Sequence, residues 1–196
     1  NLTRLGSVQR LVHYSDFPAG IVDDVIAVPD CHSFDLEPRE NLATGCYYAW
    51  GDGGFTSGRP WVEIREPKTR LDVLLNRTNK SVNGISLTRN VVLDFALEND
   101  LDGLHATPAA AFMDIEVTTP GGGRLTLFGG LDLKGIPVNA STVYARGITL
   151  NGADPGTYAA KAIWPSTSDF AGKGYDSNVV IFDLIERLLT IDSGTD

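Results

Sequence analysis

Eleven short runs rich in Val, Ile, Leu, Thr and Tyr recur along this chain, most of them bounded by Gly, Pro, Asn or Asp. They begin with VQRLVHY (8–14), IVDDVIAV (21–28), GCYYAW (45–50) and WVEIRE (61–66). LDVLLN (71–76), NGISLT (83–88), NVVLDFAL (90–97) and FMDIEVTT (112–119) follow, then GRLTLFG (123–129), VYARGITL (143–150) and TYAAKAIW (157–164). Runs this short, separated by turn chemistry, leave little room for helices. They predict an all-β fold, a sandwich or barrel of about ten short, mainly antiparallel strands.

Alternation supports the prediction. In FMDIEVTT, Met113, Ile115 and Val117 point one way and Asp114, Glu116 and Thr118 the other, as in a half-buried strand. TTPGGGRLTLFGG reads as a strand, a turn over 120–123 and a return strand, and TLNGADPGTY carries two consecutive turn signals. At most one or two short helices fit. The best candidate lies near 178–190, where Ile181, Leu184, Ile185, Leu188 and Leu189 follow the helical period and Ser177 or Asn178 is placed to cap it. Residues 179–182 are strand-like, so a strand followed by a helical turn is the alternative. With no internal repeat and no linker composition, residues 1–196 read as a single β-rich domain.

The chain is 42% hydrophobic and 21% charged, enough apolar material for a folded core. Its net charge of −9 and pI near 4.7, without any cluster of Lys or Arg, argue against nucleic acid or an anionic membrane as the main partner. No apolar run reaches the roughly 18 residues of a membrane span, so direct membrane insertion is not expected. The first residue is Asn1 rather than Met, as in a processed or excised piece. Asn-x-Ser/Thr sequons at Asn1, Asn76, Asn79 and Asn139 favour a secreted or surface context.

A serine hydrolase would have to draw its histidine from His13, His32 or His105, and no Gly-x-Ser-x-Gly elbow is present. In GDGGF (51–55), Gly53 stands where a trypsin-like protease needs its serine. Cys31 and His32 are adjacent, and adjacent residues of an extended chain point to opposite faces, so alone they make no nucleophile–base pair. Cys31, His32 and Cys46 match no zinc spacing. ENDLDG places Glu98, Asp100 and Asp102 before Gly103 as a calcium loop does, but its twelfth position is Ala109. The glycines of TPGGGR lack the Lys-Ser/Thr and the strand-to-helix context of a phosphate cradle. No catalytic residue, metal or cofactor is expected. Cys31 and Cys46 keep two readings: a disulfide closing a loop of about 15 residues, stabilising by roughly 3 kcal/mol, or two reduced thiols.

One stretch stands apart. GCYYAWGDGGFTSGRPW (45–61) holds five aromatic rings and five glycines. On a strand Tyr48 and Trp50 share a face while Tyr47 points to the other, so some of these rings belong to the core. The loop beyond carries Asp52, Phe55 and Arg59. Rings beside a carboxylate and a guanidinium suit stacking on a sugar ring and bonding its hydroxyls, and equally suit a protein interface. Tyr48, Trp50, Asp52, Phe55 and Arg59 are therefore the candidate ligand-binding set.

IVDDVIAVPD, LFGGLDLKGIPV and LNGADPGTYAAKAIW look like strands and loops of a viral surface module. In overall profile the chain resembles the protruding or spike domain of a non-enveloped RNA virus capsid, such as the astrovirus spike. That resemblance implies a homodimer on the virion surface, engaging a host receptor and antibodies, with neither enzymatic activity nor cofactor. It carries over no site residues. Three functions thus compete: a recognition module at a virion surface or otherwise extracellular, binding a glycan or protein receptor; a secreted polysaccharide-acting hydrolase or lyase; and a structural adhesin or stalk module.

Overall fold

The computed structural model describes residues 8–17, 20–30, 42–56, 58–101, 112–138, 140–168 and 170–186. Among them the regular structure is all β, sixteen strands with no helix, and no sheet closes into a barrel. The chain divides into two compact units, Asn1–Glu66 and Pro67–Asp196. The seam falls inside REPKT (65–69), a short polar run around Pro67.

Unit 1 is one sheet of β1 (Val8–Tyr14), β2 (Val22–Ala27), β3 (Gly45–Gly51), β4 (Gly54–Phe55) and β5 (Val62–Ile64). The order is β2-β1-β3, with β4 and β5 both added to the far edge of β3, and every pairing is antiparallel. Period-two alternation sends Leu11, Ile26, Tyr47 and Ala49 to one face, where they pack with Val8, Val28, Val62 and Ile64. The Tyr47 hydroxyl, buried there, donates to Asp24 Oδ2 at 2.5 Å with the Ala43 carbonyl 2.8 Å away. A buried phenol left without such a partner would cost about 1–3 kcal/mol.

Unit 2 begins with β6 (Thr69–Leu75), β7 (Ser86–Thr88), β8 (Val92–Asn99) and β9 (Phe112–Thr118). Four two-residue strands follow: β10 (Arg124–Leu125), β11 (Leu127–Phe128), β12 (Leu131–Asp132) and β13 (Ile136–Pro137). It continues with β14 (Thr142–Thr149), β15 (Gly156–Ile163) and β16 (Val179–Ile185). One sheet runs β10-β9-β15-β16-β7, with β13 added to β9; a second runs β14-β8-β6; β11 and β12 pair with each other. Leu93, Phe95 and Leu97 of β8 meet Met113, Ile115 and Val117 of β9, Tyr158 of β15, and Phe182 and Leu184 of β16 in one buried cluster. The arrangement is sandwich-like. Full burial of a side chain such as Phe95 or Phe182 contributes about 2–3 kcal/mol.

Of the two readings of 178–190 it is the strand that forms, over Val179–Ile185, with residues 179–184 paired to β15. Val180, Phe182 and Leu184 alternate inward, and the β-branched residues at 179–181 suit a pleated surface better than a helix. Leu188 and Leu189 lie outside the described residues. Neither proposed cap acts as one: Ser177 Oγ accepts from Ala162 N–H, and the Asn178 carboxamide bonds both backbone groups of Leu71, tying one sheet to the other.

Asp94 on β8 is a carboxylate only 1% exposed. Asn76 Nδ2 donates to both its oxygens at 2.8 and 3.0 Å, Gly147 N–H donates at 2.9 Å, and Arg146 Nη1 lies 3.4 Å away. Gly147 sits at the irregularity in the β14–β8 ladder with φ 82°, a conformation that a side chain would strain. The bulge turns that N–H onto the buried charge.

Candidate functional site

β1 and β3 of unit 1 set Arg10 opposite Trp50 and Val12 opposite Tyr48; β2 sets Val25 beside Val12 and Val22 beside Tyr14; β4 sets Phe55 beside Trp50. These are the residues that alternation turns away from Leu11, Tyr47 and Ala49. The sheet therefore carries its own core on one face and a ring cluster on the other.

Phe17 stacks on Tyr48 with centroids 3.8 Å apart and planes at 11°. Tyr14 approaches Phe17 at 5.9 Å, Tyr48 at 6.3 Å and Phe55 at 5.6 Å, and Trp50 lies 4.7 Å from Phe55. The Arg10 guanidinium carbon stands 5.5 Å from the Trp50 ring centre, within cation–π range. A shallow depression of about 110 Å³ opens between Arg10, Val12, Tyr14, Val22, Val25 and Trp50. Val22 at 44% and Val25 at 41% are exposed at it, as is Phe55 at 43% beside Trp50.

The five residues singled out from the sequence do not all belong to this surface in the same way. Trp50 and Phe55 meet each other and form its accessible part. Tyr48 is buried beneath Phe17, and that burial, with Cys46 nearby, holds its hydroxyl above the ordinary tyrosine range. Asp52 lies in the β3–β4 turn and accepts from Gln9 Nε2. Arg59 is exposed in the segment between β4 and β5. The guanidinium on the rings is that of Arg10, which sequence reasoning missed together with Tyr14 and Phe17. The alternation of Arg10, Val12 and Tyr14 in VQRLVHY was the available signal, but only the pairing of β1 with β3 gives it meaning.

The core face has a polar cluster of its own. His13 Nδ1 lies 2.5 Å from Asp23 Oδ1, and its ring sits 5.2 Å from that of Tyr47. Gly45 makes room for it, since a Cβ there would lie 2.5 Å from His13 Nε2. The imidazole thus packs between strands and is 12% exposed. Cys46 is half-buried and carries a free thiol. Cys31, its suggested partner, lies outside the described residues, as do His32 and His105.

The acidic end of β8 and the residue after it are engaged in ordinary structure: Glu98 pairs with Arg70, Asn99 Nδ2 donates to the Ala140 carbonyl, and Asp100 accepts from Lys68 N–H, while Asp102 lies outside the described residues. Among the described residues no group of three His, Cys, Asp or Glu is arranged to hold a metal.

The model of a family described as a domain of unknown function, DUF3821, matches residues 12–179. The chain belongs to that family. The match runs through both units and takes in β1 from Val12 onward, with Tyr48, Trp50 and Phe55, so the ring face lies almost wholly inside the family's pattern. Comparison with curated proteins and with solved structures gives no match.

Proposed function

We propose that this chain is a recognition module displayed on an outer surface, and that the ring face of unit 1 takes a protein receptor. The supporting observation is that Trp50, Phe55, Tyr14 and Arg10 lie together with exposed Val22 and Val25 on the sheet face opposite the unit's own core. A partner that covers such a face removes apolar area from water at about 25 cal/mol per Å². Tyr, Trp and Arg concentrate binding energy at protein interfaces, because each joins a large flat body to a polar end. A sugar ring would also stack on Trp50 or Phe55. Val22 and Val25 favour the protein, since branched aliphatic groups offer a sugar neither a ring face nor a hydroxyl partner. Display as a capsid spike, implied by the resemblance in profile, and display on a cell surface both use this face in the same way.

The test is binding of the labelled full chain to intact cells and to a glycan array, alongside Trp50→Ala and Phe55→Ala, with folding followed by circular dichroism. Cell binding that both substitutions weaken by about tenfold or more, and that protease treatment of the cells abolishes, supports the reading. An array signal lost in both variants makes the ligand a glycan. A dimer in light scattering that Trp50→Ala dissociates makes the partner a second copy. Binding unchanged in both variants removes the face from the reading.

A further inference from the structure

We infer that Asn79 is an N-glycan acceptor and that Asn76, three residues before it in an equally valid sequon, is not. The two sequons, Asn76-Arg77-Thr78 and Asn79-Lys80-Ser81, stand in one turn after β6. A glycosyl transferase that reads only Asn-x-Ser/Thr sees both. The fold distinguishes them.

Asn79 occupies a left-handed backbone position, φ 52°, which asparagine tolerates better than most residues. Its backbone N–H donates to the Leu75 carbonyl at 2.9 Å, and its side chain is exposed with no hydrogen bond to any other described residue. Attachment of a sugar there disturbs no contact of the described fold. Asn76 is exposed as well, but its side chain is engaged. Its Nδ2 supplies both oxygens of Asp94, a carboxylate removed from water on β8. A sugar on that nitrogen replaces one of its two hydrogens and sets a pyranose ring against the buried charge. Where the sugar takes the hydrogen that faces the carboxylate, Asp94 loses part of the donor set that makes its burial tolerable.

The transfer is a simple displacement. Asparagine Nδ2 attacks C1 of an oligosaccharide carried on a lipid phosphate or diphosphate. The C1–O bond breaks, the lipid phosphate departs with the electron pair, and one amide proton passes to a base of the transferase. An N–C1 bond takes the place of an N–H bond. In the folded chain Ser81 Oγ donates to Asp72 Oδ1 at 2.6 Å, and Leu74 and Ser81 form a β-bridge. Transfer to Asn79 therefore precedes closure of that bridge, and folding afterwards retains the product modified at 79 and rejects the one modified at 76.

The inference rests on the cell-surface form of the proposed function, since a capsid protein assembled in the cytosol does not meet the transferase, and the experiment supplies that setting independently. The full chain, led into the secretory pathway of a eukaryotic host, is mapped by cleavage after glutamate, which leaves residues 67–98 in one peptide. The expected result is one glycan on that peptide, at Asn79. Asn79→Asp, which keeps a residue suited to the left-handed turn, removes its mass. Thr78→Ala, which destroys the first sequon without touching the Asn76–Asp94 contact, leaves it unchanged. A glycan on Asn76 in folded, secreted protein overturns the inference, and so does an Asn79 left bare in secreted or retained chains. Receptor binding plays no part in this readout, so the failure of either reading is visible without the other.

Discussion

Two stacked ring pairs in this molecule have opposite surroundings. Tyr158 and Phe182 of unit 2 lie 5.5 Å apart with planes at 8°, enclosed in the core with Phe128 beside them. Phe17 and Tyr48 of unit 1 lie 3.8 Å apart at 11°, on the sheet face opposite the unit's core. The first pair has all its neighbours within the fold. The second is bordered by Trp50, Phe55, Val22 and Val25, which reach solvent. Similar chemistry therefore serves stability in one unit and, in our reading, recognition in the other.

The difference can be broken by substitution. Phe182→Ala should destabilise unit 2 by about 3–5 kcal/mol, read as a shift of the urea transition followed by Trp164 fluorescence; a loss under about 1 kcal/mol would contradict the packing described. Asp94→Ala leaves Asn76 and Gly147 without their acceptor and should cost about 2 kcal/mol in the same assay. Tyr47→Phe, on the core side of unit 1, removes the bond to Asp24 and should cost about 1 kcal/mol. Trp50→Ala, on the other side of that same strand, should cost about 0.5 kcal/mol while impairing binding most; a stability loss as large as that of Phe182→Ala would make the ring face structural.

The smallest signal is spectroscopic. Burial, then the nearby Asp154, raises the hydroxyl of Tyr158, and burial, then Cys46, raises that of Tyr48. In each case the unfolded chain releases its proton first. The stability these groups confer is thus complete below about pH 10 and declines as pH rises through the folded values. Tyrosinate absorbance at high pH should lose a late-titrating component in Tyr48→Phe and another in Tyr158→Phe.

Much of the fold could be read from residues near each other in sequence. The alternation of Met113, Ile115 and Val117 matches their burial, and the opposition of Tyr47 to Tyr48 and Trp50 holds in the sheet. The turn over 120–123 joins β9 to β10, with Thr119 N–H bonded to the Gly123 carbonyl. What escaped depends on partners distant in the chain. Arg10 becomes a site residue only because β1 lies beside β3, about 40 positions later. The helical period at 181–185 coincides with the inward and outward sides of β16, and tertiary pairing with β15 decided between them. The seam at Glu66–Pro67 is marked only by the short polar run REPKTR, which differs little from the loops between other strands. Asn76 looked like one of four sequons until the buried carboxylate beside it was located.

The parallel pairing of β16 with β7 sets a timetable for biosynthesis. β16 lies between β15 and β7, yet it emerges about a hundred residues after the strand it joins. At roughly 5–20 residues per second, a ribosome takes about 5 to 20 seconds to deliver it. Throughout that interval Leu87 and the open edge of β15, once made, await a neighbour, whereas the segments that pair in unit 1 have all been synthesised. The nascent chain thus offers a finished small sheet ahead of an unfinished large one, and during that wait a chaperone has an unpaired edge to protect.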